Sequence, residues 1–103
     1  MAKQIILYNL ADHVTDEQYK DYVVNEKGPL LDGLSSVEKF ELFKVTGSMD
    51  GEIPYKYVGI LRIKDLEAFL QKDAPSKEFQ DFGAKWSTMV KPGFVTLIGE
   101  EVY

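Results

Sequence analysis

The sequence predicts an α+β fold in which helices cover one face of a four-stranded antiparallel sheet. Three observations indicate this fold: short segments rich in β-branched and aromatic residues, helical apolar periodicity between them, and strands that are apolar on both faces. In the first strand, Ile5, Leu7 and their neighbours Ile6 and Tyr8 place apolar side chains on opposite faces. A small antiparallel sheet needs only one apolar face. The second face is therefore expected to meet a partner chain.

Composition narrows the class of protein. A chain of 103 residues is expected to form a single domain spanning residues 1–103 with its own core. The net charge of −5 disfavours binding to nucleic acid or to acidic membranes. The absence of cysteine excludes disulfides, thiol nucleophiles and cysteine-ligated metals. The first apolar run is too short for a signal sequence or a membrane span, so a cytoplasmic location is expected.

The first strand is predicted at residues 4–10, and a helix is predicted to follow it. Thr15 and Gln18 have the spacing of a capping box, and Val14 and Tyr19 have the spacing of a hydrophobic staple around it. Together they predict a helix that begins near residue 15.

The first helix carries an apolar stripe that includes Tyr19, Tyr22 and Val23. Gly28-Pro29 is predicted to close the regular helix. An extra turn through Leu30, Leu31 and Leu34 is expected to follow it.

Two strands joined by a hairpin loop come next. Residues 37–45 and residues 55–63 alternate in hydrophobicity, and the loop at 46–52 has the glycine and small polar residues of a turn. In the second strand, Phe40 and Leu42 are predicted to lie on one face, and Phe43 and Val45 on the other. In the third strand, Tyr57 and Leu61 are predicted to lie on one face, and Val58 and Ile60 on the other.

The second helical region begins with Asp65 as a cap and is broken or restarted at Pro75. Gly83 is expected to let its second part approach the sheet closely. Residues 91–93 are predicted to end the helix, and residues 94–98 to form the last strand. The apolar stripe of this region comprises Phe79, Phe82, Trp86 and Met89.

The order strand, helix, strand, strand, helix, strand is the ferredoxin-like βαββαβ plan. Right-handed crossovers place both helical regions on one sheet face. The other face then exposes an apolar patch on the order of 350 Å², which monomers seldom leave bare. A homodimer that pairs the two sheet faces is therefore predicted.

A family resemblance lies mostly in the first two thirds of the chain. It is carried by Ile6-Leu7-Tyr8-Asn9-Leu10, by Val14, Tyr19 and Pro29, by Ser36-Val37, and by residues 40–47 and 55–58. With these residues the chain resembles the RedY-like HapK proteins. The resemblance implies a dimeric α/β barrel and a connection to prodiginine-type tripyrrole biosynthesis. Where the family pattern has Asp-Leu-Pro after the first helix, this chain has Lys27-Gly28-Pro29.

Two polar residues near the end of the first strand are candidates for chemistry. His13 is the only histidine, and it is either a solvated loop residue or a proton carrier at a pocket mouth. Asn9 interrupts an apolar run, so it either bonds to nearby backbone or holds a ligand carbonyl or hydroxyl. With one histidine and no cysteine, neither a metal site nor a cofactor is expected.

Aromatic residues are candidates for a ligand cavity between sheet and helices. Tyr22, Tyr57 and Trp86, with Tyr8 and Tyr55, either line such a cavity or form a plain core. Asn9 and Trp86 resemble in placement the asparagine and tryptophan of haem-degrading and quinol-oxidising barrels. Haem degradation is not expected, because no histidine follows His13.

Three hypotheses of function remain. The leading one is an accessory protein of specialised metabolism that binds a small aromatic or pyrrole-like molecule. The second is a cofactor-independent monooxygenase, cyclase or isomerase in which His13 or a tyrosine carries the proton. The third is a non-catalytic dimerisation module, which predicts a tightly filled interior.

Overall fold

The computed structural model describes residues 1–103 and has the predicted order of strands and helices. Four strands form one antiparallel sheet in the order β2-β3-β1-β4: β1 (Ala2–Tyr8), β2 (Val37–Lys44), β3 (Tyr57–Ile63) and β4 (Val95–Glu100). The prediction of a ferredoxin-like α+β fold is confirmed. No helix is both long enough and apolar enough to cross a membrane.

Helix α1 (Asp16–Tyr22) begins at the predicted capping box. The Gln18 backbone N–H donates to Thr15 Oγ1 at 3.1 Å, and the Thr15 N–H donates to Gln18 Oε1 at 2.9 Å. These two bonds satisfy backbone donors that have no partner inside the helix.

The chain does not leave the helix at Gly28-Pro29. A π-helical turn (Val23–Lys27) follows α1 and leads directly into α2 (Gly28–Asp32). The prediction that the helix closes at Gly28-Pro29 is therefore wrong, because helical structure continues through both residues. The predicted extra turn is confirmed at Leu30 and Leu31, which lie in α2. Pro29 is tolerated because it lies in the first turn of α2, where no N–H is required.

The second helical region has three parts. Asp65 caps the short α3 (Leu66–Ala68), a π-helical turn (Phe69–Asp73) follows, and α4 (Lys77–Ser87) begins after Pro75. The predictions for Asp65 and Pro75 are confirmed.

The prediction that Gly83 brings α4 close to the sheet is wrong. A Cβ atom built at this glycine would meet no other atom within 4 Å, so close packing does not require a glycine here. Gly83 instead borders a cavity between α4 and the sheet.

Two buried clusters fill the space between the sheet and the helices. The aliphatic cluster is Ala2, Leu31, Val37, Leu61, Ile63 and Phe69, and the aromatic cluster is Tyr8, Tyr19, Tyr22, Tyr57, Trp86 and Val90. They lie at opposite ends of the central strand pair, because β1 and β3 pair Ala2 with Ile63 at one end and Tyr8 with Tyr57 at the other.

The opposite sheet face is uncovered by this chain. Residues paired directly across a sheet share a face, and the register aligns Phe43, Val58, Leu7 and Val95 in one row and Glu41, Ile60, Ile5 and Leu97 in the next. We call these eight residues the open face. A third row holds Lys39, Arg62, Lys3 and Gly99, and Arg62 forms ion pairs there with Glu101 and Glu38.

Candidate functional site

A cavity of about 270 Å³ lies between the sheet and α4, at the junction of the aliphatic and aromatic clusters. The helices contribute Lys27, Leu31, Phe79, Phe82, Gly83, Trp86 and Ser87, and the sheet side contributes Gln4, Ile6, Phe40, Gly59, Leu61, Phe94 and Thr96. Aromatic and aliphatic side chains dominate this lining, and Lys27 is its one charged residue. We treat this cavity as the candidate site.

Lys27 is the last residue of the π-helical turn and is only 3% exposed. Its Nζ atom donates to Tyr19 Oη at 3.0 Å and to Tyr8 Oη at 3.4 Å. None of the ion pairs in the structure includes Lys27. A buried lysine without a carboxylate partner is uncommon, because burial penalises the charged ammonium.

Aromatic rings surround this amine. The Nζ atom lies between 5.2 and 6.0 Å from the centroids of five rings, those of Tyr8, Tyr19, Phe40, Phe82 and Trp86. The ring faces attract an ammonium group but replace its lost hydration only in part. Burial therefore lowers the pKa of Lys27 to about 7, so that near neutral pH the amine exists in both protonation states.

The Tyr19 hydroxyl is the centre of the polar network beside the cavity. It shares a hydrogen bond of 2.5 Å with Tyr8 Oη and accepts one from Trp86 Nε1 at 3.0 Å, besides the bond from Lys27. Burial raises the pKa of both tyrosines, so their hydroxyls stay protonated at physiological pH. The site thus combines a titrating amine with two neutral hydroxyl groups.

The π-helical turn places the Lys27 amine beside the cavity. Gly28 donates its N–H to the carbonyl oxygen of Val23, five residues back, and a Cβ atom at position 28 would lie only 2.9 Å from that oxygen. Glycine therefore permits the wide turn, which directs Lys27 under the helix. Single π-helical turns are frequent at functional sites.

Lys27 was not among the candidates predicted from the sequence. The available signal is its position on the apolar stripe, four residues after Val23 and four before Leu31. Taking Gly28-Pro29 as a helix stop hides that signal, since it places Lys27 at a solvated end.

Among the predicted aromatic contacts, only Trp86 lines the cavity. Tyr57 lies one layer behind it, stacked on Tyr8 with 5.7 Å between ring centroids, and its hydroxyl donates to Asp16 Oδ1 at 2.5 Å. Tyr22 packs against Tyr19, and its hydroxyl is buried without a hydrogen-bond partner.

Asn9 and His13 lie away from the cavity. The Asn9 amide donates to the Pro54 carbonyl at 3.0 Å and accepts from the Lys56 N–H at 2.9 Å, which fixes the loop before β3. His13 is exposed in the loop between β1 and α1. Asn9 and Tyr57 border a separate shallow groove, so the five predicted residues do not form one site. Their functional roles stay predictions.

With the fold and the cavity established, comparison with known proteins identifies the family. Residues 2–102 match the family described as REDY-like protein HapK. The chain belongs to this family. A comparison with curated proteins finds no match.

Solved structures support the assignment to the HapK family. HapK from Hahella chejuensis is similar at 25% identity with a TM-score of 0.79, over 99% of this chain and 93% of that one. A dimeric ferredoxin-like protein from Thermobifida fusca has 15% identity and a TM-score of 0.74, over 97% and 90%. SnoaB from Streptomyces nogalater, described as a cofactor-independent oxygenase, has 12% identity and a TM-score of 0.75, over 99% and 93%. The last two likenesses concern the fold alone.

Proposed function

We propose that this protein is an accessory protein of specialised-metabolite biosynthesis that binds a small planar aromatic molecule. The aromatic cavity of about 270 Å³ beneath α4 carries this proposal. An apolar cavity of roughly 150 Å³ binds benzene, so this cavity has room for about two small rings. Membership of the HapK family and the resemblance noted above favour a pyrrole-like ligand.

Recognition in the cavity rests on stacking and on one cationic donor. Phe40, Phe82 and Trp86 offer ring faces and edges, and Lys27 offers an N–H donor. A ligand with a carbonyl or hydroxyl oxygen beside a flat ring system satisfies both requirements. Trp86 is thus the predicted contact on which this proposal relies.

We also propose that the chain forms a homodimer through its open face. Seven of the eight residues of the open face are apolar, and at its edges Phe43 is 50% and Leu97 is 55% exposed. An isologous dimer would cover this patch on both copies at once. The description of the Thermobifida fusca protein as dimeric supports the same arrangement here.

Ligand binding is tested through Trp86, the only tryptophan. Titration with bipyrrole-like and quinone-like compounds is expected to quench or shift its fluorescence in a saturable way. Gly83→Leu should fill the cavity and weaken binding at least about tenfold, whereas Ala84→Leu, on the exposed side of α4, should leave it unchanged. Equal binding by both variants, or no response across the panel, would contradict the proposal.

The dimer is tested by light scattering after size-exclusion chromatography. Leu97→Lys places a charge on the apolar open face, within the proposed interface, and is expected to produce monomers. Val24→Lys is the matched control, since Val24 is 61% exposed on the first helical region and far from the open face. A monomeric wild-type protein at micromolar concentration would overturn this part of the proposal.

A second candidate is a cofactor-independent oxygenase, cyclase or isomerase. The observation that favours it is the Lys27 amine beside two protonated tyrosine hydroxyls, which suits proton transfer to or from a bound ligand. SnoaB, a described cofactor-independent oxygenase, shares the fold. Oxygen uptake with a hydroquinone substrate that Lys27→Met abolishes and His13→Ala preserves would favour this candidate over the binding protein. The cavity counts against a dimerisation module without a ligand.

A further inference from the structure

We infer that Lys27 forms a reversible imine with an aldehyde or ketone group carried by an aromatic ligand in the cavity. This inference rests on the proposed binding function of the same cavity and adds to it the class of ligand and the bond formed. It depends on three properties of Lys27: how it is held, what faces it, and the space beside it.

The amine is held from one side. Tyr8 and Tyr19 accept two of the three N–H donors of an ammonium group, and no third protein acceptor lies within hydrogen-bond distance. Because Lys27 also lines the cavity, the remaining position at Nζ is the one that a ligand atom approaches. A carbonyl carbon there would lie among Phe40, Phe82 and Trp86, whose rings pack around Nζ.

The surroundings keep the amine reactive. The titratable groups that face it are the Tyr8 and Tyr19 hydroxyls, which burial keeps protonated, and no carboxylate pairs with it. A lysine desolvated in an apolar pocket is activated as a nucleophile, because its neutral form is populated near pH 7. The ten other lysines lie at least partly exposed, and none of them lines the cavity.

The bond changes balance without a cofactor. The neutral Nζ attacks the carbonyl carbon, and the π electrons of the C=O bond move to the oxygen. One proton passes from Nζ to this oxygen, which gives a neutral carbinolamine. The carbinolamine then loses its hydroxyl group together with the remaining proton on nitrogen, as one molecule of water, and this leaves the C=N bond of the imine. The net reaction joins an amine and a carbonyl compound and releases water, and nothing is oxidised or reduced.

The experiment traps the imine. Wild-type protein is incubated near pH 7 with 2-naphthaldehyde and sodium cyanoborohydride, which reduces an imine to a stable secondary amine, and the modified peptide is identified by mass spectrometry. Lys27 is expected to be labelled roughly tenfold or more faster than any other lysine. Lys27→Met should remove this adduct, and Lys85→Met, a change of an exposed lysine on α4, should leave it in place.

A second ligand separates this inference from the proposed function. Naphthalene-2-methanol has the same rings and no carbonyl group, so it reports binding through Trp86 fluorescence without covalent capture. If it binds while the aldehyde labels only surface lysines or none, the imine is overturned and the binding function stands. If neither compound binds or labels Lys27, both proposals fail. Selective labelling of Lys27 supports the imine.

Discussion

The aliphatic and aromatic clusters lie beneath the same two helical regions but are stabilised in different ways. The aliphatic cluster has no polar side-chain atom, so burial of apolar surface and close packing account for its stability. The aromatic cluster contains four tyrosine hydroxyls and an indole N–H, with the Lys27 amine beside them, and most of these groups have partners inside the protein.

The cavity lies where the two clusters meet. Leu31 and Leu61 of the aliphatic cluster and Trp86 of the aromatic cluster line it together. The proposed ligand would meet apolar walls on one side of this junction and Lys27 with its hydrogen-bonding network on the other. Apolar packing therefore dominates at the aliphatic end, and a buried polar network is added to the packing at the aromatic end.

The largest expected effect is loss of packing at the aliphatic end. Phe69→Ala removes a fully buried ring that packs edge-on against Phe79, with 5.7 Å between centroids. The free energy of unfolding should fall by about 3–5 kcal/mol, because the cavity left behind cannot collapse completely. Urea denaturation measures it, with Leu70→Ala, an exposed neighbour, as a control that should change little. A loss below that of the control would show that this end is loosely packed.

At the aromatic end, Lys27→Met is expected to stabilise the protein, because it removes a buried cation. The folded pKa of Lys27, about 7, lies below its ordinary value of 10.5. The unfolded chain therefore binds more protons between these values, and wild-type stability rises with pH across this window. Consequently the advantage of the variant should shrink by about 2 kcal/mol between pH 7 and pH 9.

Chemical denaturation of both proteins at pH 7, 8 and 9 measures this change. Lys85→Met is the control, because Lys85 is exposed and its ion pair with Glu26 lies at the surface. A constant difference between wild type and Lys27→Met at all three pH values would show that Lys27 does not titrate in this window.

Two tyrosines on α1 differ in their hydroxyl groups: that of Tyr19 is hydrogen-bonded, whereas that of Tyr22 has no partner. Tyr19→Phe should lower the free energy of unfolding by about 1–3 kcal/mol, since Trp86 Nε1 and Lys27 Nζ both lose an acceptor. Tyr22→Phe should be neutral or stabilising, because the Tyr22 hydroxyl is buried without a partner. Thermal and urea denaturation of both variants at pH 7 test the pair. Equal losses would mean that the network around Tyr19 adds nothing beyond burial of its ring.

Local patterns predicted most of the fold. The Thr15 and Gln18 capping box and the alternation of Tyr57 and Leu61 with Val58 and Ile60 are both confirmed, because each depends on residues close in sequence. The placement of both helical regions on one face of the sheet was predicted from the right-handed crossover rule, which applies to any chain with this sequence of elements.

The site was harder to predict. The helix continues through Gly28-Pro29 because tertiary packing outweighs a local stop signal, and that continuation buries Lys27. The cavity beside Gly83 is empty space, which no residue pattern encodes. Trp86 was predicted correctly as a residue of the helical stripe, but the amine beside it was not.

The smallest expected change in the free energy of unfolding comes from replacing a helical glycine, and two glycines should respond in opposite directions. Gly83→Ala should raise the free energy of unfolding by about 0.5–1 kcal/mol, because alanine has less backbone entropy to lose and its Cβ meets no atom within 4 Å. Gly28→Ala should instead destabilise, because its Cβ would lie 2.9 Å from the Val23 carbonyl oxygen inside the π-helical turn. Thermal denaturation at pH 7 measures both. If Gly28→Ala also stabilises, the turn can relax to regular helix, and the position of Lys27 under the helix does not depend on glycine.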